Sequence, residues 1–192
     1  MRTIETERLL LRDYTPDDAE AMLVIDSDPE VMHFLGGVQR RTVAEQRAFL
    51  ELVCAKYTRY RDRGLPYCAM GAFESATGTL VGTALFKPAP YVAPGTTERV
   101  DTDELEIGWH LARAAWGKGY ATELGRAMRD RGFTTTGVDE LHAVIHDGNV
   151  KSERVAERLG LSRVGTTTRF YGENLSDYRI TRAEWERLRA SI

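Results

Sequence analysis

The sequence predicts one α+β (α/β) domain, a mixed sheet with helices packed on it. Three observations carry this. Apolar residues recur with strand spacing in some segments and helical spacing in others. Helix start signals stand at Thr15-Pro16, at Thr42 to Glu45 and at Thr181 to Glu184. A strand, a glycine turn and a helix follow one another around Trp116-Gly117-Lys118-Gly119-Tyr120. They lead to a further strand that runs parallel to the first if the segment is a βαβ unit.

Taken in order, Arg8 to Tyr14 reads as a strand with Leu9 and Leu11 on one face. Thr15 caps a helix with Pro16 at its first position, running to about Ile25. Asp28-Pro29 opens a short helix that Gly36-Gly37 breaks. Thr42-Val43-Ala44-Glu45 is a capping box for a third helix carrying Phe49, Val53, Tyr57 and Tyr60 at helical spacing, and Gly64 and Pro66 end it. Tyr67 to Phe73 and Thr79 to Lys87 are strands joined by a turn short enough for a hairpin. Pro88 to Asp103, with three prolines, reads as a long loop of the kind that tends to be functional or mobile. Its end is acidic, with Glu98, Asp101 and Asp103 running into Glu104. Glu104 to Ala112 is a strand in which Gly108 marks a bulge or a close backbone approach. The fourth helix puts Ala121, Leu124, Gly125 and Met128 on one face, and Leu141 to His146 is the strand after it. Asp147-Gly148-Asn149 turns into a fifth helix with Ser152, Val155, Ala156 and Leu159 on one side and Gly160 as its stop. Leu161 to Phe170 and Asp177 to Ile180 are the last strands, followed by a short helix with Trp185 and Leu188.

Composition bounds the function. With 192 residues, 42% of them apolar, the chain suits one domain with one sizeable core. The net charge is −3 with acids and bases well mixed, so no basic stripe supports a nucleic-acid partner. Cys54 and Cys68 match no metal or disulfide framework and read as thiols in a reducing compartment. Arg2, Glu5, Glu7, Arg8 and Arg12 leave no apolar signal region, and no apolar run nears the ~20 residues of a membrane span. The expectation is a cytoplasmic globular protein with neither nucleic acid nor membrane as partner.

Gly117 and Gly119 let a bulky anion approach the main chain where the helix dipole adds about half a positive charge. The spacing does not make a Walker loop. A dinucleotide fingerprint would need a small residue where Thr122 stands. The remaining phosphate reading is a pyrophosphate on consecutive N–H groups, as coenzyme A would present; the alternative is a plain tight turn.

One strand later comes Asn149-Val150-Lys151-Ser152, then Val155, Glu157 and Leu159-Gly160-Leu161. Together with Trp116 to Glu123, these residues resemble the GNAT superfamily of N-acetyltransferases. Thr6-Glu7-Arg8-Leu9-Leu10-Leu11-Arg12, Asp177-Tyr178 and Glu184-Trp185 are similar to its ribosomal-protein N-acetyltransferase branch. The resemblance covers nearly the whole chain and implies a mainly antiparallel, seven-stranded sheet splayed at two central parallel strands. It implies acetyl-CoA as co-substrate, no metal, a pyrophosphate on Gly117, Lys118, Gly119, Tyr120, Ala121 and Thr122, pantetheine amides against Trp109 and Leu111, and Asn149 beside the coenzyme. Ser152 matches a position used in that branch, against the alternative of a local hydrogen bond at a helix start. Ala114, Ala156 and Leu161 depart from the family pattern; Ala156 stands where many members carry a tyrosine acid.

The implied reaction is attack of an amine on a thioester. Deprotonating a lysine-like amine at pH 7 costs roughly 4–5 kcal/mol and an α-amine only about 1 kcal/mol. Glu106, two residues before Gly108, is the candidate base, against the alternative of a salt-bridged strand glutamate. Backbone N–H near Trp109 would hold the oxyanion. Tyr171 and Tyr178 are further candidate proton donors. His142 and His146 lie ~13 Å apart on a strand, too far to share a metal, and Glu106 and His110 have the same spacing. His33 and His142 read as core or surface residues, and His146, at the strand end facing the cleft, as a candidate to touch substrate. The acidic stretch from Glu98 to Glu104 would attract a cationic amine, against the alternative of a solvated surface loop. The expected partner is an amine substrate, first a protein or peptide N-terminal α-amine, alternatively a polyamine, amino acid or aminoglycoside. A homodimer is a further expectation. The alternatives are a non-catalytic acyl-CoA sensor and, from the glycine turn alone, a nucleotide-binding dehydrogenase.

Overall fold

The structure, a computed structural model, describes residues 2–37, 40–93, 95–96 and 98–190. Its strands are β1 (Thr3–Glu5), β2 (Leu9–Asp13), β3 (Cys68–Glu74), β4 (Leu80–Val92), β5 (Arg99–Leu111), β6 (Glu140–His146), β7 (Ser162–Thr167) and β8 (Leu175–Thr181). The helices are α1 (Ala19–Asp26), α2 (Pro29–Met32), α3 (Val43–Asp62), α4 (Tyr120–Thr135), α5 (Val150–Arg158) and α6 (Arg182–Ala190).

The strands form one sheet in the order β1-β2-β3-β4-β5-β6-β8-β7. β1/β2, β2/β3, β6/β8 and β7/β8 pair antiparallel. β5 and β6 pair parallel, and their ladder holds the single register pair Glu106↔His142. The predicted class, a mixed and mainly antiparallel sheet with flanking helices, is the observed one. Among the described residues the sheet has eight strands rather than seven because Thr3–Glu5 pairs along β2, Thr3 opposite Arg12. Three residues are too few to show periodicity, so β1 leaves no trace in the sequence pattern.

The long loop from Pro88 to Asp103 is corrected: β4 continues to Val92 and β5 begins at Arg99. Prolines suggested a break because they cannot donate to a ladder. Here the neighbouring carbonyls take the bonds: Ala89 O accepts from the Thr102 hydroxyl (2.8 Å) and Pro90 O from the Tyr171 N–H (2.9 Å). Asp101 and Asp103 therefore sit exposed on β5. Pro94, the third proline of that stretch, lies outside the described residues.

Contacts gather in two compact units, Met1–Leu85 with Trp109–Ala127, and Phe86–Gly108 with Met128–Ile192; β4, β5 and α4 pass from one to the other. In the first unit, Tyr14, Met22, Ile25, Met32, Leu50, Phe73 and Leu80 form one apolar cluster. Each large side chain buried in it contributes about 1.5–3 kcal/mol. α3 starts as its sequence predicts: the Thr42 hydroxyl accepts from the Glu45 N–H (3.2 Å) and the Glu45 carboxylate accepts from the Thr42 N–H (3.0 Å). In the second unit Phe133 stacks on Trp185 at 5.0 Å, and the Trp185 indole donates to Asp130 at 2.7 Å. The Arg182 guanidinium donates to the carbonyls of Phe133, Thr136 and Val138, satisfying orphan groups where α4 ends. Among the described residues no disulfide forms; Cys54 is half-buried and Cys68 buried. Among the described residues no helix is long and apolar enough to cross a membrane, and no group of acids, histidines and cysteines is arranged to hold a metal.

Candidate active site

The glycine turn belongs to the first unit. Gly117 (φ +75°) and Gly119 (φ +83°) occupy the left-handed region that side chains avoid. α4 opens one residue later, and its first bond runs from the Glu123 N–H to Gly119 O at 3.1 Å. Among the described residues no side chain caps the N–H groups from Gly117 to Thr122. A side chain at Gly117 would meet only open space, so the turn needs glycine for its backbone angles and not for packing.

The turn is braced from the opening of the chain. Glu123 accepts from the Thr6 hydroxyl (2.6 Å), the Arg8 N–H (2.7 Å) and the Arg8 guanidinium (2.8 Å). The same guanidinium donates to Lys118 O at 2.8 Å and lies 4.8 Å from the Tyr120 ring centroid. Burial works against charge on Glu123, but the hydrogen bonds from Thr6 and Arg8 outweigh it and hold the carboxyl below its usual range. On the preceding strand, the carbonyl of Leu111 already accepts from the Trp116 indole at 2.9 Å. Trp109 is half-buried and Leu111 buried.

Glu106, in the second unit, is only 4% exposed. Its Oε1 accepts from both the Lys87 ammonium and the Tyr171 hydroxyl, and Lys87 also donates to the Tyr171 oxygen at 2.7 Å. The salt-bridged reading of Glu106 is thus realised, on one oxygen; Oε2 has no partner among the described residues. Tyr171 is the one non-glycine residue among those described with positive φ, at +60°. Such a conformation costs about 1–3 kcal/mol, and the Pro90 and Glu106 contacts hold it. Lys87 was not foreseen, because nothing in the spacing of Lys87, Glu106 and Tyr171 marks them as partners.

Asn149 caps α5: its Oδ1 accepts from the Ser152 N–H at 3.3 Å. This is the local helix-start role weighed for Ser152, made here by its backbone, and it leaves the Asn149 amide nitrogen and the Ser152 hydroxyl for other partners. Ala156 is fully buried, and Tyr178 is buried on β8. His142 is buried, with Nδ1 2.9 Å from Asp177 and Nε2 3.3 Å from Glu140. Burial lowers its pKa, but Asp177 and Glu140 outweigh that and raise it above the ordinary value. His146 lies 3.4 Å from Glu173.

A hollow of about 150 Å³ beneath α3, lined by Arg2, Asp13, Tyr14, Cys54, Tyr57 and Arg61 among others, contains none of the predicted site residues. The first unit also holds a polar network that the sequence did not announce. Asp26, 2% exposed on α1, accepts from Gln46 (3.0 Å) and Arg40 (3.1 Å), with His110 Nε2 3.7 Å from its other oxygen. His110 Nε2 is 3.1 Å from the Thr83 hydroxyl, itself 2.7 Å from the Tyr14 hydroxyl.

The element order, with a glycine turn opening α4 and a parallel pairing of β5 and β6, is that of an acyltransferase fold. Residues 8–162 match the family described as "Acetyltransferase (GNAT) domain", and the chain belongs to that family. The Bacillus subtilis (strain 168) protein named "Uncharacterized N-acetyltransferase YoaA" is 26% identical over 175 residues, 91% of each chain. Two solved structures share the fold. One, from Vibrio cholerae and provisionally named a ribosomal-protein-serine acetyltransferase, is 22% identical with a TM-score of 0.72 over 94% of this chain and 97% of that one. The other, AAC(6')-Ib in complex with ribostamycin and coenzyme A, is 23% identical with a TM-score of 0.68 over 97% and 100%. The chain is an acyltransferase of the N-acetyltransferase kind.

Proposed function

We infer that this protein moves the acetyl group of acetyl-CoA onto a primary amine, first a protein or peptide N-terminal α-amine. The observation that carries the reading is the row of uncapped N–H groups from Gly117 to Thr122, which suits a pyrophosphate. In this reading the pantetheine arm runs along Trp109 and Leu111. Asn149 and Ser152 meet the coenzyme through the amide nitrogen and the hydroxyl that capping leaves free. The amine nitrogen attacks the thioester carbon, backbone N–H near Trp109 receives the developing oxyanion, and the C–S pair departs with sulfur. Glu106 takes a proton from the incoming ammonium through Oε2, directly or through one water, while Lys87 and Tyr171 fix Oε1.

The α-amine preference rests on the resemblance to the ribosomal-protein branch and on the fold shared with the Vibrio cholerae protein. A small-molecule acceptor is the second reading, favoured by the fold shared with the ribostamycin complex and by the exposed Asp101 and Asp103 on β5. Calorimetry with acetyl-CoA, then thiol release with peptides, polyamines, amino acids and aminoglycosides, tests both. Heat followed by release on a peptide supports the first reading, and release on a small amine only supports the second. Heat with no release on any amine points to an acyl-CoA sensor, and no heat removes the coenzyme altogether. Glu106→Gln is expected to lower kcat/KM about 10²–10⁴-fold for lysine-like amines and less for α-amines. An unchanged pH–rate profile would remove Glu106 as the base.

A further inference from the structure

Acetyl transfer to an ammonium must strip two protons from nitrogen. One leaves before attack, to free the lone pair. The second leaves the tetrahedral adduct, whose nitrogen is still positively charged. The departing thiolate needs one proton back. A group that takes the second proton from nitrogen and returns it to sulfur balances the step, and the first proton goes to Glu106 and from there to solvent. Ala156 offers no side chain for this.

We propose that His110 carries that proton and that Asp26 is its positioning residue; the proposal rests on the acetyl-transfer reading above. His110 follows Trp109 directly on β5, in the unit that also holds Leu111 and the Gly117–Thr122 turn. Its Nε2 is anchored at 3.1 Å from the Thr83 hydroxyl and 3.7 Å from Asp26 Oδ1. The longer distance is an electrostatic contact rather than a hydrogen bond. Asp26 cannot turn away, since Arg40 and Gln46 hold its other oxygen. A fixed anion beside Nε2 favours the tautomer with hydrogen on that nitrogen, which leaves the Nδ1 lone pair as the acceptor. Nδ1 has no partner among the described residues, and the side chain keeps 17% of its surface exposed. Gly82 sets the strand there: a Cβ on it would lie 2.4 Å from His110 O, so β4 and β5 approach at the very residue that carries the imidazole. One end of the ring is thus held by the protein, and the other is open to receive a proton from nitrogen and pass it to sulfur.

The test begins with the wild-type protein. Nitrogen NMR of His110 is expected to show the Nε2–H tautomer of the imidazole; the Nδ1–H tautomer overturns the proposal without any variant. With the best amine of the panel, His110→Gln is expected to lose about 10²–10⁴-fold in kcat with KM for acetyl-CoA within about twofold. Asp26→Asn should lose activity to a smaller degree and mix the two His110 tautomers. If wild type releases thiol and His110→Gln keeps kcat within about threefold, His110 is not the carrier and the acetyl-transfer reading stands. If wild type releases no thiol with any amine, both fall together.

Discussion

Gly82 is the residue at which β4 packs against the carrier of the proposed proton relay, His110. An added Cβ would come 2.4 Å from His110 O and 2.5 Å from Leu111 Cδ2, distances that force β4 and β5 apart. Gly82→Ala is expected to lower unfolding stability by about 1–3 kcal/mol, read by urea denaturation. A loss under ~0.5 kcal/mol would mean that the strands separate freely at this point. Glu106 likewise joins a fixed support to a proposed role. Its reach along β5 was readable from its position before Gly108, but its two anchors were not, since Lys87 and Tyr171 come from distant segments.

At the scale of an element, α5 carries two roles at one residue. Asn149 Oδ1 caps the helix, and its amide nitrogen is the group proposed to meet the coenzyme. Asn149→Ala should cost about 1 kcal/mol of stability through the lost cap, whereas Asn149→Asp keeps an acceptor there and should remain near wild type. Both should weaken acetyl-CoA binding by calorimetry. Wild-type affinity in Asn149→Asp would reduce Asn149 to a cap. Elements of this kind were the legible part of the chain. The capping boxes at Thr42 and Thr181 and the left-handed glycines of the turn are written within four or five residues, so the sequence displays them directly. β4 was misread because Pro88 and Pro90 break strands in general, and their tolerance here depends on bonds from Thr102 and Tyr171 that no local pattern encodes. The links from Glu123 to Thr6 and from His110 to Asp26 were hidden for the same reason.

For the whole molecule, ionisation sets the pH range of stability. Asp18, Asp26 and Glu123 are buried or half-buried, which opposes their charge. Their hydrogen bonds and ion pairs prevail and hold each pKa below its ordinary value. Their contribution is present above the unfolded values near 4 and is lost as pH falls through the lower folded ones. His142 has the opposite sign. Its raised pKa contributes stability that is complete below about pH 6.5 and lost as pH rises through the folded value. Urea unfolding from pH 3 to 9 should show a steep decline below ~pH 4. The gap between wild type and His142→Gln should be widest near ~pH 5–6 and narrow toward alkaline pH. A gap that widens as pH rises would reverse the sign assigned to His142.

The grip of Thr6 and Arg8 on Glu123 spans up to 117 positions of sequence. Anyone who appends a purification tag ahead of Leu9, or trims the chain there, is therefore altering the seat on which the nucleotide end of the acyl donor is proposed to rest. Changes at the two places would look alike in a binding assay, although on paper they touch opposite halves of the gene product.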